Sequence, residues 1–146
     1  MKVSDDQVAS VHAYVTGNVE EFDRISDSLP PVDRKARGTL VTAAFFRAAD
    51  QRFSGGDTRP AIIDFVSTLR ARSPEVADAI DPKIAERLIL AAVSDEEIDD
   101  IDGETQGTHF WLLLARLVAD RQYSDAELNL FLADARQLAD NWLEQP

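Results

Sequence analysis

Seven carboxylates crowd into ten residues: Asp95, Glu96, Glu97, Asp99, Asp100, Asp102 and Glu104. No Lys or Arg occurs between Arg87 and Arg116 to neutralise them. Oxygen ligands at this density could hold a hard divalent cation, and on a helix Glu96, Glu97 and Asp100 share a face through their i, i+3 and i+4 spacing. Against that stands the plain reading of a charge run as a solvated face, with acids favoured near a helix N-terminus. An EF-hand register fails. Placing Gly103 at the sixth loop position puts Ile98 first and His109 twelfth, where a bidentate Glu is required.

A second template keeps the metal reading open. All-helical nucleotide pyrophosphohydrolases hold Mg²⁺ with a Glu-Glu-x-x-acid pattern and an acid-x-x-Asp partner on a later helix. Glu96-Glu97-Ile98-Asp99-Asp100 is similar to the first part, but the partners, Glu75 with Asp78 and Glu20 with Asp23, lie upstream. The other chemistry-bearing residues are few. The chain has no Cys, which excludes thiol nucleophiles, disulfides, iron–sulfur clusters and thiolate zinc. Its two imidazoles, His12 and His109, exclude three-histidine metal sites. His109 could pair with Asp102 or Glu104, and His12 lies among Val8, Val11 and Val15, so both read first as packing residues. Trp111 and Trp142 sit on apolar faces and read as core before ligand pocket. No Gly-x-Ser-x-Gly elbow and no Walker loop occurs, and Gly55-Gly56 has no Lys to grip a phosphate.

The elements that must position these residues are helices. The grammar apolar-Ser-Asp-x-(Gln/Glu)-apolar occurs at Val3–Val8, Val93–Ile98 and Tyr123–Leu128. Each copy predicts a capping box with a hydrophobic staple, hence a helix start. Gly17-Asn18 ends the first helix and opens a second from Val19 to about Ser28, which Pro30-Pro31 stop. A long helix follows from about Asp33 to Phe53, apolar nearly all round, as a surrounded helix should be. Pro60 starts the next, whose Ile62, Phe65, Val66 and Leu69 recur at helical spacing through Arg72. Ser73-Pro74 and Asp81-Pro82 each read as N-cap and first turn. Gly103 and Gly107 loosen the backbone before a hydrophobic helix from Phe110 to Ala119. The last helix carries the stripe Leu128, Phe131, Ala135, Leu138 and Trp142. The expectation is an all-α, compact multi-helix bundle of about seven helices, a single domain over 1–146.

Ala49-Asp50-Gln51-Arg52-Phe53-Ser54 returns seventy positions later as Ala119-Asp120-Arg121-Gln122-Tyr123-Ser124. The echo predicts two pseudo-symmetric halves, about 33–72 and 104–146, with chance convergence of capping sequences as the other account. The string Ala-Asp-x-x-apolar-Ser-x-x-acid resembles a signature of tellurite-resistance (TerB-like) helical domains, in which acids after a turn are suspected metal ligands. That resemblance covers about ten residues in each half and implies Asp120 with Glu127, and Asp50 with Asp57, as ligands. Gln51 and Arg121 stand where the family has Gly.

Composition bounds the rest. The 146 residues are 45% hydrophobic and 29% charged, enough for a core without staples. A net charge of −12 repels phosphate backbones and anionic lipid, so neither nucleic acid nor membrane is an expected partner. The charge is uneven: residues 1–33 carry −5, 34–87 carry +3 and 88–146 carry −10. No stretch of about 18 apolar residues occurs, and the N-terminus turns acidic at once, so a cytoplasmic protein is expected. Twelve Arg against three Lys suggests a bacterial chain from a GC-rich genome. An empty catalytic inventory beside a strong helical signal points to a non-enzymatic protein-interaction module that needs no cofactor. The runners-up are a divalent-metal-dependent hydrolase using Glu96, Glu97 and Asp100, and an acidic immunity or inhibitor protein. A homodimer is expected, with Leu130, off the main stripe, and Trp142 at its interface.

Overall fold

The computed structural model describes residues 1–55 and 58–145, and among these its regular structure is helical, with no strand. Eight α-helices follow in order: α1 (Asp5–Val15), α2 (Val19–Ser28), α3 (Arg34–Phe53), α4 (Arg59–Arg70), α5 (Pro74–Ala79), α6 (Pro82–Val93), α7 (Gly103–Arg121) and α8 (Asp125–Glu144). A single 3-10 turn, Pro31–Asp33, precedes α3. The helices gather into two compact units. The first comprises Met1–Ala44 with Leu114–Pro146, and the second Phe45–Leu113. Each of the halves 33–72 and 104–146 straddles this division, and the two copies of the echo fall in different units.

In the first unit the N-terminal capping box forms: Ser4 Oγ accepts from the Gln7 amide at 3.2 Å and Gln7 Oε1 accepts from the Ser4 amide at 2.8 Å. The same Gln7 is 1% exposed, and its Nε2 donates to the Asp33 carbonyl at 3.1 Å, so one side chain caps α1 and ties it to the turn before α3. Gly17, at φ 78°, supplies the left-handed step that ends α1. Asn18 then caps α2 by accepting from the Glu21 amide. Tyr14 meets Phe22 edge-on at 5.3 Å, and the Arg37 guanidinium of α3 lies over that Phe22 ring while donating to Ser26 Oγ at 2.8 Å. The chain start is tied to α8. The Val3 amide donates to Asp140 at 2.7 Å, and Arg136 donates to the Val3 carbonyl and to Asp5 at 2.7 Å each. On α8, Leu128, Phe131, Leu132, Ala135 and Ala139 are buried, whereas Leu138 and Trp142 are only half-buried.

The second unit is built on aromatic contacts. Phe110 of α7 packs on Phe45 and Phe46 of α3 at centroid distances of 5.0 and 6.2 Å, and Phe53 meets Phe65 of α4 at 5.5 Å. Helix α4 packs on α5 and α6 through Ile62, Phe65, Val66 and Leu69, all buried. Arg70 donates to the carbonyls of Ile80 and Ala77, satisfying the end of α5. Ser73 and Asp81 are N-caps with Pro behind them, as the sequence predicts.

Two expectations are corrected. Val93–Ile98 opens no helix: Ser94 ends α6 instead, its hydroxyl donating to the Leu90 carbonyl at 2.7 Å, and residues 95–98 have no regular structure. Gly103 and Gly107 do not loosen the chain, for both lie inside α7, which starts at Gly103 because Asp102 accepts from the Thr105 amide and hydroxyl.

Candidate functional site

The acidic stretch has a cation of its own. Arg87, on α6, donates from Nε to Glu96 Oε1 at 3.0 Å and from both terminal nitrogens to the Asp100 carboxylate at 2.9 and 2.8 Å. It also donates to the Glu97 carbonyl at 2.5 Å. A planar guanidinium with five N–H donors suits such a fork, and its charge offsets part of the run. The hydrogen bond from Arg87 holds the Asp100 carboxyl down at about 2 and pushes the Arg87 guanidinium up. Gln106 completes the clasp by donating to the carbonyls of Ile98 and Ile101 at 3.2 and 2.8 Å. The segment from Ser94 to Asp102 is thus pinned from α6 and from α7.

This geometry does not suit a divalent ion. Glu96, Glu97 and Asp100 lie outside any helix, so the shared face expected of them does not exist; Glu97 joins the cluster by its carbonyl and not its carboxylate. Among the described residues no group of three or more His, Asp or Glu is disposed to hold a metal. Asp120 pairs with Arg116 at 2.5 Å along α7, and Glu127 accepts from the Ser124 amide at 2.9 Å, which lowers the Glu127 pKa. Asp50 is exposed, and Asp57 lies outside the described residues. The echo also differs in backbone: Arg52 is helical, whereas its counterpart Gln122 sits at φ 52° and ends α7 two residues earlier.

His109 is 4% exposed and pairs with neither Asp102 nor Glu104. Its Nε2 accepts from the Asp81 amide at 3.0 Å and its Nδ1 lies 2.8 Å from the Thr105 carbonyl. One nitrogen must accept and the other donate, so the ring is neutral with the proton on Nδ1. It acts as a strut between α7 and the start of α6.

Beside the Arg87 clasp runs a groove of about 280 Å³ between α4 and α6. Ile62, Ile63 and Leu90 give it an apolar lining, and Arg59 and Lys83 stand on its rim. Ile62 is buried, but Ile63 is 52% exposed although it is large and apolar. The volume is just below the roughly 300 to 1,000 Å³ of small-molecule sites, which suits a few apolar side chains better than a cofactor. A second apolar feature lies on the outer face of α8. Leu130 is 72% exposed, and Ala126 and Ala133, one turn to either side, are exposed with it. Trp142 does not join this ridge and is half-buried.

Sequence reasoning finds Leu130, because it falls off the stripe, but misses Arg87 and Ile63. The signal for Arg87 was its place as the last base before a long acidic stretch. Ile63 was visible as the one large apolar residue of α4 outside the Ile62, Phe65, Val66, Leu69 pattern. Comparison with known proteins finds no matching family model, no matching curated protein and no matching solved structure.

Proposed function

We propose that this protein is a non-enzymatic helical module that works by binding protein, a second copy of itself included. The observation that carries this reading is Leu130, 72% exposed at the centre of an apolar ridge on a helix whose opposite face is buried. A lone exposed Leu means little, but a turn-by-turn series of Ala126, Leu130 and Ala133 offers a docking face. Chemistry of the sites supports it from the other side. Asp100, in the clasp beside the groove, stays ionised near neutral pH and is committed to Arg87, which makes it a poor acid, base or ligand. No described helix is long and apolar enough to cross a membrane.

Light scattering tests the reading. The wild-type chain is expected to be a homodimer in both low and moderate salt, because its net charge of −12 opposes association and the apolar contact must outweigh it. Leu130→Asp is expected to weaken that dimer at least tenfold. A monomer at high micromolar concentration in both salts overturns the reading for self-association.

A further inference from the structure

A second groove lies beside the Leu130 ridge, wholly within the first unit. Helix α1 packs on α2 and on α8, and along the three runs an open groove of about 550 Å³, about twice the volume of the one between α4 and α6. Val8, Ala9, Ala13 and Ile25 give it an apolar floor, and Asn129 and Arg136 of α8 form one wall. Its charged groups are already paired. Arg136 donates to Asp5 at 2.7 Å, and Arg24 Nε donates to Glu21 at 3.0 Å, so a chain of net charge −12 presents here a surface whose charges cancel locally. His12, half-buried, is the one titratable side chain of the described lining outside these pairs.

The ridge borders this groove. Ala133 lies four residues after Asn129 and three before Arg136, so it adjoins the groove's α8 wall. With about 3.6 residues per turn, the exposed acids Glu127 and Asp134 fall on the flank of the ridge opposite Asn129 and Arg136. The crest itself, Ala126, Leu130, Ala133 and Gln137, is exposed and carries no charge. A knob and a hole side by side on one surface are what an isologous contact requires.

We infer that Leu130 of one copy enters the groove along α1, α2 and α8 of a second copy, against Val8 and Ala9, while its own groove receives the second copy's Leu130. This rests on the reading of the protein as a self-associating module and names the surface that such association uses. A two-fold axis midway between ridge and groove seats both contacts at once, and the pair closes without leaving a free end. The charge pattern favours a second copy as the occupant. Two chains of −12 repel each other at long range, and they approach at least cost where the crest of one is uncharged and the groove of the other has its charges paired.

Charge exchange between two surface positions tests it. Ala9 and Leu130 are both exposed, so Ala9→Lys and Leu130→Asp are expected to keep the wild-type circular dichroism. Each alone is expected to weaken the dimer at least tenfold in light scattering, because each places an unpaired charge in both contacts. Mixed one to one they regain a dimer: the intact Leu130 of the Ala9→Lys chain enters the intact groove of the Leu130→Asp chain, and in the other contact the introduced ammonium faces the introduced carboxylate. Ile63→Asp, at an exposed apolar residue of the second unit, is expected to stay dimeric. A dimer that persists in Ale9→Lys but not in Leu130→Asp overturns the groove assignment and leaves self-association standing, as does a mixture that stays monomeric or an Ile63→Asp chain that loses its dimer. A dimer that persists in both Ala9→Lys and Leu130→Asp overturns ridge and groove together. A wild-type monomer removes self-association itself.

Discussion

Val93-Ser94-Asp95-Glu96-Glu97-Ile98 and Tyr123-Ser124-Asp125-Ala126-Glu127-Leu128 share one local grammar and adopt opposite structures. At Ser124 the reciprocal bonds with Glu127 form, and twenty residues of helix follow. At Ser94 the hydroxyl turns back onto α6, and the acids that would have dressed a new helix reach sideways to Arg87. The difference lies in what each segment's partners offer. After Ser124 the chain holds Leu128, Phe131 and Leu132, all buried, so helix formation is repaid by packing; after Ser94 it holds five acids and two isoleucines before Asp102 restarts the helix. A capping box contributes about 1 kcal/mol, less than a nucleus costs, and cannot by itself hold a helix over a segment whose one buried residue is Ile101.

The largest test of this comparison is at the residue that closes each pattern. Leu128→Ala removes a buried side chain and is expected to cost about 2 to 5 kcal/mol by chemical denaturation. Ile98→Ala, at a half-buried position, is expected to cost well under half as much. Equal losses would mean that Ile98 is anchored as a core residue and the segment is no mere bridge.

Next come the two serines. Ser124→Ala is expected to cost about 0.5 to 2 kcal/mol, because it leaves the Glu127 amide without its acceptor. Ser94→Ala removes only a hydroxyl bond to a helix-end carbonyl and is expected to stay within about 0.5 kcal/mol of wild type. A reversed order of the two melting temperatures would break the contrast.

The smallest effect, and the sharpest in sign, concerns Arg87. Its bond lowers the Asp100 pKa from 3.8 to about 2. The folded state therefore binds the Asp100 proton less readily than the unfolded chain does. The stability this confers is fully present above about pH 4 and is lost as pH falls through about 2. Arg87→Met is expected to lower the melting temperature slightly at neutral pH, and the gap from wild type should close toward pH 2. Faster exchange of the Ile101 amide, which donates to the Ile98 carbonyl within the clasped segment, should accompany it. A gap that stays constant from pH 7 to pH 2 would mean that the guanidinium contributes packing and not charge.

Much of this architecture is written along the chain. Ser4 with Gln7, Asn18, Ser73-Pro74, Asp81-Pro82 and Ser124 with Glu127 mark five helix starts by bonds that span only a few residues, and such bonds depend on nothing distant. The burial of Leu40, Val41, Ala43, Ala44 and Phe45 on α3 and the buried stripe of α8 are equally local in origin, being consequences of apolar residues clustered along a helix. What the tertiary structure alone decided involves partners far apart in sequence. Arg87 reaches nine to thirteen residues ahead and converts an expected ligand face into a clasped loop; His109 reaches 28 residues back to the Asp81 amide; the groove beside Ile63 exists only because α4 and α6 pack together. Local hydrogen bonds can be read from spacing because the backbone sets their geometry. A side chain's distant partner cannot, because it is chosen by how the burial of apolar surface brings helices together.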